Sequence, residues 1–511
     1  MGIQLGEHHP ATSGQPAAAT DGHEHRLRAG VLGLFDSVVM GVAGVAPGYS
    51  IAATTAILFV AVGVSGPASL LYCGIAMFGI VWAFNYLGRI EANAGASYSW
   101  VRRALHPVFG YIAGWALVVS ALIFMVAGSF PAGSVTLGLF STSLATNVLA
   151  VTLVGAAFFL FMVVAVMVGV RITARVQVAM STVELLILVL FAVLALVHGH
   201  DAHTFTWSWL SPTHFHGSNG FFAGALVAAF YYWGWDTTAN LSEETRRAKV
   251  TPGFGAIIGV LVVFALFEVF TIGANMVLSS GQIHNNAGDV LDVLGQQVWR
   301  GNGGKIIVVA VILSTIATLE TTLIQVTRTL FAMGRDGTLP RSLGYIHRNW
   351  KTPWVATSVI AVLSVGLFVG SNYIGSIGTI MTDAINAIGE QICIYYGLAG
   401  LSVVVLYRKQ IFRSASNFFL IGLWPLVGSI FMFVMFAKVI PGLNATTNEV
   451  GLGALGLGLI PMAIYWMKGR PYFDKVTPSE RIAPEPGAED LEETAEVSGG
   501  GKMPIPVTVG D

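Results

Sequence analysis

The first apolar run of the chain, residues 34–62, contains the sequence Gly41-Val-Ala-Gly-Val-Ala-Pro-Gly48. Each glycine costs about 1 kcal/mol and each proline about 3 kcal/mol in a helix interior, so this sequence predicts a broken helix. The sixth apolar run is interrupted in the same way by Tyr231-Tyr-Trp-Gly-Trp-Asp-Thr-Thr-Ala-Asn240. The alternative is that both helices are only kinked, or that small residues let neighbouring helices pack closely.

The composition of the chain places both breaks in a membrane. Of the 511 residues, 54% are hydrophobic and only 10% are charged, whereas soluble domains carry about 25% charged residues. Residues 37–88 and 104–170 contain no Asp, Glu, Lys or Arg, and each run is longer than the roughly 20 residues of one spanning helix. Barrel strands alternate apolar and polar residues, whereas these runs are continuously apolar, so an all-α polytopic membrane protein is predicted.

Apolar runs separated by charged or turn-rich segments predict twelve transmembrane helices. They cover residues 34–62, 67–88, 108–138, 146–169, 176–197, 220–242, 254–279, 305–333, 354–371, 374–406, 416–440 and 450–468. Arg and Lys accumulate in alternate connections, within 89–103, 171–175, 246–249, 335–351 and 408–413, with Arg300 and Lys305 as the main exceptions. Because basic residues mark cytoplasmic loops, both termini are predicted to be cytoplasmic, in a protein of the cytoplasmic (cell) membrane.

The two breaks lie five spans apart, which is the spacing that a five-plus-five inverted repeat requires. The twelve-helix domain is predicted to span residues 31–470, with a first repeat at 31–198, a second repeat at 220–407 and helices eleven and twelve at 416–468. Residues 1–30 and the acidic residues 471–511 are predicted to be disordered cytoplasmic tails, because they cannot bury a core.

Free backbone groups at a helix break need a cavity inside a membrane, so a pocket is predicted at the breaks. A secondary transporter explains the pocket, the buried acids and the twelve spans together. An enzyme needs a nucleophile or metal constellation, and the sequence contains no His-Glu-x-x-His, no Gly-x-Ser-x-Gly and no paired cysteines, so no catalytic residue, metal or cofactor is predicted. A channel needs a selectivity element built from symmetric subunits, and two helix breaks in an inverted repeat are not such an element, so a channel is not the predicted class.

The sequence also limits the energy source and the partners. A Walker sequence is missing, which argues against ATP as the direct energy source and leaves an ion gradient or exchange. The net charge of −1, without a basic block, argues against nucleic acid as a partner. The expected partners are therefore the lipid bilayer, a small-molecule substrate and a coupling proton or sodium, in a monomer or homodimer.

Four motifs in order give the chain a family resemblance over residues 30 to about 440. They are the glycine-rich first span, Glu91-Ala-Asn-Ala-Gly-Ala-Ser-Tyr-Ser-Trp100, Gly234-Trp-Asp-Thr-Thr-Ala-Asn-Leu-Ser-Glu-Glu-Thr245 and Thr327-Arg-Thr-Leu-Phe-Ala-Met-Gly-Arg-Asp-Gly-Thr-Leu-Pro340. With these motifs the chain resembles the amino acid–polyamine–organocation (APC) superfamily of permeases. The resemblance implies the leucine-transporter-type fold, with broken helices 1 and 6.

The resemblance also implies a substrate, an amino acid or related organic amine. Its carboxylate would lie on backbone N–H groups of the first break, and its ammonium would face carbonyls of the second break, where Phe230 holds the position of an aromatic gate. The first span lacks the Ser and Phe of the common family pattern Gly-Ser-Gly-Ile-Phe and gains Pro47. The predicted substrate-binding residues are Ala43, Gly44, Val45, Ala46, Phe230, Trp233 and Asp236.

Seven acids lie within the predicted spans, at Asp36, Glu184, Asp236, Glu268, Glu320, Asp383 and Glu390, whereas Arg328 is the one clear base there. A charge at mid-bilayer costs about 2.5–3.5 kcal/mol, so these acids must face a cavity, pair or carry a proton. The alternative for each is a hydrogen-bonded structural carboxyl. Asp383 and Glu390 share one face of span ten, and Asp36, near the cytoplasmic end, is expected to be a helix cap or an interface residue.

Glu184 is the predicted coupling residue. In many proton-coupled relatives a lysine takes this place on span five, so the resemblance implies that Glu184 carries a proton, or binds a cation with Thr315 and Thr318. The full set of predicted coupling residues is Glu184, Thr315, Thr318, Glu320, Asp383 and Glu390. The expected function is proton-coupled symport or exchange by alternating access, and the alternative is proton- or sodium-coupled uptake of a cation such as a polyamine or potassium.

Overall fold

The computed structural model describes residues 26–198, 202–285, 290–373 and 376–483, and this part of the chain is helical apart from loops and one isolated bridge between Leu32 and Thr245. The first half contains α1 (Leu34–Val45), α2 (Pro47–Val62), α3 (Gly66–Ile90), α4 (Ser97–Ala104), α5 (Pro107–Gly138), α6 (Thr142–Ala145), α7 (Val148–Val168), α8 (Val170–His198), α9 (Gly217–Tyr231) and α10 (Thr237–Asn240). The second half contains α11 (Thr251–Val277), α12 (Ser280–Asn285), α13 (Val290–Val298), α14 (Ile306–Arg335), α15 (Trp354–Ser371), α16 (Ile377–Leu406), α17 (Ala415–Asn417), α18 (Trp424–Val439), α19 (Ala445–Asn448), α20 (Ala454–Leu457) and α21 (Leu459–Met467). Two π-helical turns, Phe418–Leu423 and Glu449–Gly453, precede α18 and α20.

Ten helical segments of the described residues are long and apolar enough to cross a membrane. One of the ten, Leu34–Ile90, contains α1, α2 and α3, and α9 is too short to be counted at 15 residues. Several observed bounds agree closely with the predicted ones, for example Pro107–Gly138 against 108–138. The helical membrane protein is therefore confirmed, whereas the count of twelve spans stays a prediction.

The bundle has a buried centre and an apolar outer surface. Helix α5 packs against both α14 and α16 at the centre, while α1 packs against α11 and α14, and α3 packs against α11 and α16. On the outside, large apolar side chains such as Leu160, Leu186 and Val362 are exposed. An apolar exterior of this kind suits contact with lipid tails.

Both predicted helix breaks are present. Helix α1 ends at Val45, and Ala46 takes the left-handed conformation at φ 52° and ψ 68° before Pro47 opens α2. Proline has no N–H to donate and its ring blocks the preceding turn, so α1 cannot run on into α2. The second break covers residues 232–236 between α9 and α10, where Gly234 has φ +101°.

One end of the bundle carries many basic residues, and we call it the basic end. It holds a cavity of about 590 Å³ whose lining includes Arg102, Arg103, Arg335, Arg341 and Arg470. Helix α1 begins at the basic end. There Asp36 accepts a hydrogen bond of 2.8 Å from the Gly33 N–H and so caps the helix.

The segment after α21 packs on the basic end instead of leaving it at residue 471 as predicted. The ring of Tyr472 stacks on Tyr98 with centroids 4.6 Å apart, and its hydroxyl donates to the Tyr98 carbonyl. Ala483 N–H donates to the Leu406 carbonyl over 3.1 Å. The predicted tail boundary is thus corrected for residues 471–483, because aromatic stacking and backbone hydrogen bonds hold them. Residues 1–25 and 484–511 lie outside the described residues.

Asp336, the C-cap of α14, gives the basic end a pH dependence. Burial raises the pKa of Asp336 above its ordinary value of 3.8, and Arg335, whose Nε lies 3.8 Å from Oδ1, offsets this only in part. A carboxyl whose pKa is raised by folding contributes most stability below its unfolded pKa and loses that contribution as the pH rises through the folded pKa. We therefore expect Asp336→Asn to have a higher Tm than wild type at neutral pH and a similar Tm near the unfolded pKa of about 3.9.

Thermal unfolding followed by intrinsic fluorescence across this pH range would measure the effect of Asp336→Asn. The matched control is Asp474→Asn, because Asp474 is exposed on the same end of the bundle. A Tm difference that grew towards acid pH would contradict the assignment.

Candidate functional site

The two breaks meet at the centre of the bundle. A Cβ atom added to Gly44 would overlap the backbone carbonyl of Gly234, and one added to Gly234 would overlap the Gly44 carbonyl. Only glycine allows two backbones to approach so closely. The breaks are therefore one site, built from the end of α1 and from residues 232–236.

The start of α2 is tied to α8 and α14. The Gly48 N–H donates to Oε1 of Glu184 over 2.9 Å, and the Tyr49 N–H donates to the Ser314 hydroxyl over 3.0 Å. On the other side of the break, the Thr318 hydroxyl donates to the Gly44 carbonyl over 3.2 Å. A helix N-terminus carries partial positive charge, so the Glu184 carboxylate is well placed to cap α2.

This geometry corrects the predicted set of N–H groups at the first break. Ala43, Gly44 and Val45 lie within α1, and the Ala46 N–H closes the same helix by donating to the Val42 carbonyl over 3.1 Å. The break is a single left-handed residue followed by Pro47, not a longer unwound stretch. The N–H groups that donate outside the backbone hydrogen bonds of the helix belong to Gly48 and Tyr49. Glu184 accepts the first and Ser314 accepts the second.

Four buried rings fill the space beside the breaks, and we call them the aromatic cluster: Tyr49, Phe124, Phe230 and Trp233. Tyr49 meets Phe124 edge-on with centroids 5.4 Å apart, and Phe124 meets Trp233 at 5.4 Å. Phe230 lies 6.4 Å from Tyr49 and 6.3 Å from Trp233. Of the predicted substrate-binding residues, Phe230 thus packs against Tyr49 beside the first break, with Trp233 next to it, and their role in substrate binding stays a prediction.

Asp236 lies at the second break but faces α16. The Tyr396 hydroxyl donates to its Oδ1 over 2.8 Å, while Oδ2 has no hydrogen-bond partner in the described part of the chain. The neighbouring Tyr395 hydroxyl accepts a hydrogen bond of 2.6 Å from the Trp233 indole. Two tyrosines of α16 therefore connect Asp236 to the aromatic cluster.

A cavity of about 210 Å³ opens next to Tyr49 on the side away from the basic end. Its walls come from α2, α5, α14 and α16, and include Ala52, Pro131, Val311 and Met381. Tyr49 also lines this cavity, and its ring centroid lies 6.4 Å from that of Phe230.

Towards the basic end, ion pairs and hydrogen bonds close the site. Arg328 donates from Nε to Oε2 of Glu244 over 3.0 Å and from Nη2 to Oε1 over 3.1 Å. These two side chains are only 0% and 1% exposed. Arg335 donates to both Glu243 oxygens, and Asn240 donates to the Ala94 carbonyl.

The structure separates the predicted coupling residues into two groups. Glu184 and Thr318 contact the first break, and Thr315, buried on α14, donates its hydroxyl to the Val311 carbonyl of its own helix. Glu320 lies further along the contact between α8 and α14, where its Oε2 accepts a hydrogen bond of 2.6 Å from Gln177.

Asp383 and Glu390 lie apart from this group. Asp383 Oδ1 accepts hydrogen bonds from Asn444 and Thr447 at the start of α19, over 2.8 and 2.9 Å. Glu390 packs against Gly451 in the π-helical turn that follows α19. Both acids face this last part of the bundle, which their i, i+7 spacing on α16 allows, and neither is hydrogen-bonded to the breaks.

Several important residues of the site carry little signal in the sequence. Gln177, Ser314 and Tyr49 are ordinary residues of apolar runs, and their roles arise only from packing between helices. For Glu244 the sequence gives an indirect signal. Arg328 is a base in an apolar run, and a base inside a membrane requires a nearby acid. Its partner is 84 positions away in the sequence, so the pair is visible only in three dimensions.

Two broken helices that meet at a buried site, closed at one end of an apolar bundle, define a membrane transporter rather than an enzyme. Comparison with known proteins agrees. The chain matches the amino acid permease family over residues 32–459, and it therefore belongs to that family.

Individual relatives are similar over most of their length. The serine/threonine exchanger SteT of Bacillus subtilis (strain 168) is 24% identical over 393 residues, which cover 75% of this chain and 84% of SteT. The low-affinity putrescine importer PlaP of Escherichia coli (strain K12) is 24% identical over 411 residues, covering 78% and 85%. An uncharacterized transporter of Mycobacterium bovis is 26% identical over 450 residues, covering 84% and 90%.

Proposed function

We propose that the protein is a proton-coupled secondary transporter of an amino acid or related amine, working by symport or exchange. The hydrogen bond from the Gly48 N–H to Glu184 carries this proposal, because it places an acid on the broken helix itself. An ionised Glu184 accepts this hydrogen bond and stabilises the start of α2, whereas a protonated Glu184 weakens the cap. Protonation of one side chain thus changes the first break directly.

The remaining geometry supports alternating access. The cavity beside Tyr49 leads towards the site from the far side, while the Arg328–Glu244 and Arg335–Glu243 pairs close the basic end. Basic residues mark the cytoplasmic side, so this arrangement corresponds to an outward-facing state with both termini in the cytoplasm. In this proposal α1–α3 supply two spans and α9 with α10 supplies the sixth, which gives twelve spans: ten in the two repeats and two after them.

The aromatic cluster supports a substrate that carries an ammonium group. Ammonium groups bind over aromatic faces, and the energy rises when the site is desolvated. The cluster is buried. Asp236 is linked to it by two neighbouring tyrosines, because Tyr396 donates to Asp236 and Tyr395 accepts from Trp233. Serine, threonine and putrescine, which the names of the relatives give for SteT and PlaP, are therefore suitable first probes.

Counterflow in proteoliposomes tests the substrate class. Purified protein would be reconstituted with one unlabelled compound inside and the same labelled compound outside, for each amino acid, putrescine and related amines. We expect accumulation of one amino acid or amine class. If only rubidium, as a tracer for potassium, were exchanged, the cation-uptake alternative would replace this proposal.

Glu184→Gln tests the coupling. We expect it to abolish the dependence of uptake on an inward proton gradient while counterflow continues, because the amide still accepts the Gly48 N–H but cannot exchange a proton. The matched control is Glu268→Gln, since the Glu268 carboxylate oxygens are also buried but the residue lies on α11, outside this network. Wild-type gradient dependence in Glu184→Gln would exclude Glu184 as the proton carrier. Dependence on sodium instead of protons in the wild-type protein would overturn proton coupling altogether.

A further inference from the structure

We propose that Glu320 receives the coupled proton from Glu184 and releases it at the basic end. The path is a polar seam between α8 and α14, formed by Thr173, Gln177, Ser181, Glu184, Ser314 and Glu320. The inference rests on the proposed proton coupling of Glu184 and adds the route by which the proton leaves.

The α8 side of the seam is one buried face of the helix. Thr173, Gln177, Ser181 and Glu184 follow each other at spacings of four, four and three residues, so they line up along the helix. None of these four residues is more than 2% exposed. On the opposite face Leu186 is 67% exposed, as expected for contact with lipid. A polar stripe in this position is therefore shielded from lipid along its whole length.

Hydrogen bonds place the two carboxyl groups at different depths. Glu184 accepts the hydrogen bond of the Gly48 N–H at the break. Glu320 accepts a hydrogen bond from Gln177, one helical turn after Thr173, whose hydroxyl donates to the Gly169 carbonyl over 3.1 Å in the connection between α7 and α8. This connection lies towards the basic end, since the Thr352 hydroxyl of the loop after α14 donates to Met167 beside it. Glu320 is thus the acid of the seam nearer that end.

Several polar atoms of the seam are not satisfied by the protein. Within the described residues, Oε2 of Glu184, Oγ of Ser181, Oε1 of Gln177 and Oε1 of Glu320 have no hydrogen-bond partner. A seam that only held two helices together would pair these atoms, because buried polar groups without partners are costly. Ser181 lies one helical turn from Glu184 and one from Gln177, so its hydroxyl lies along the seam between Glu184 and the residue that is bonded to Glu320.

Because the Ser181 hydroxyl is hydrogen-bonded to neither acid, the proposed transfer needs water as the carrier between them. The protonated Glu184 carboxyl gives its proton to a water molecule at the Ser181 hydroxyl, and a water molecule beside Glu320 in turn gives a proton to the Glu320 carboxylate. Glu184 becomes the carboxylate that accepts the Gly48 N–H, and Glu320 becomes a neutral acid. Glu320 then loses its proton to water at the basic end, which readies it for the next cycle.

Other ionisable groups leave the two acids free to exchange a proton. The elements packed against α8 and α14 carry, among the described residues, Asp36, Tyr49, Tyr111, Glu268, Asp292 and Arg341, while α14 itself carries Arg328 and Arg335, and α8 carries Arg171 and Arg175. None of these side chains is hydrogen-bonded or ion-paired to Glu184 or Glu320 in the described structure, and Arg328 is paired with Glu244.

The test compares Glu320→Gln with wild type in proteoliposomes, using L-threonine or putrescine, whichever counterflow shows to be exchanged. We expect counterflow to continue in Glu320→Gln, because exchange needs no proton release, and net uptake driven by a proton gradient to be lost. Substrate binding should remain pH-dependent in this variant and become pH-independent in Glu184→Gln, since only Glu184 contacts the break. Glu268→Gln serves again as the buried-acid control.

Each outcome separates the two proposals. Wild-type gradient-driven uptake in Glu320→Gln would overturn the relay while leaving the coupling role of Glu184 intact. If Glu320→Gln lost counterflow as well, Glu320→Asp would decide. Recovery of gradient-driven uptake in Glu320→Asp would support the relay, and failure to recover it would overturn the relay. A wild-type protein that exchanged no amino acid or amine would overturn the proposed function, and the relay with it.

Discussion

Replacing Arg328 by methionine is expected to lower the free energy of unfolding by about 3–5 kcal/mol, because it leaves the Glu244 carboxylate buried without its partner. The pair is bidentate, and its side chains are 0% and 1% exposed, so water cannot take over from the lost guanidinium. Methionine keeps an unbranched apolar stem and removes the charge, so the packing of that stem changes little. Thermal unfolding in detergent and the fraction of monodisperse protein on size exclusion would measure the loss.

The double variant Arg328→Met with Glu244→Gln is the control for this prediction. Removing both charges avoids a lone buried ion, and replacing a whole buried pair is often neutral. The double variant should therefore recover most of the stability that Arg328→Met loses. Equal losses in the single and double variants would mean that the guanidinium acts by filling space, not by pairing with Glu244.

The sequence predicts the helices and their breaks well because their causes are local. Continuous apolar runs define α5 or α15 without reference to the rest of the chain, and Pro47 interrupts the first span wherever that span packs. The glycines at positions 44 and 234 mark the breaks by composition. Their contact with each other, which makes the two breaks one site, is a property of the packed bundle.

The partners of the buried acids depend on packing, so the sequence predicts them poorly. Seven acids in apolar runs look alike in the sequence, yet Glu184 caps α2 while Asp383 is bonded to Asn444 and Thr447 at the far edge of α16. The N–H groups at the first break are a similar case. A single left-handed residue, Ala46, moves the free donors from Ala43–Ala46 to Gly48 and Tyr49, and composition does not encode such a shift.

Gly44→Ala is expected to destabilise the folded protein by about 1–3 kcal/mol or more and to abolish transport, because the new methyl group would meet backbone. The atom it overlaps is the carbonyl oxygen of Gly234, which cannot rotate aside as a side chain could. Moving α1 away would also strain the Gly48–Glu184 and Thr318–Gly44 hydrogen bonds, since both hold the same break. Thermal unfolding and counterflow would measure the two effects.

Gly41→Ala is the matched control, because Gly41 lies one turn earlier in α1 and also faces the second break. Its nearest neighbour would be the Thr238 methyl group at 3.4 Å, an ordinary contact distance. Alanine is favoured over glycine by about 1 kcal/mol in a helix, so Gly41→Ala should be neutral or slightly stabilising. If the two variants behaved alike, the contact between Gly44 and Gly234 would not control the site. A loss confined to Gly44→Ala would show that transport requires the two backbones to touch at this point.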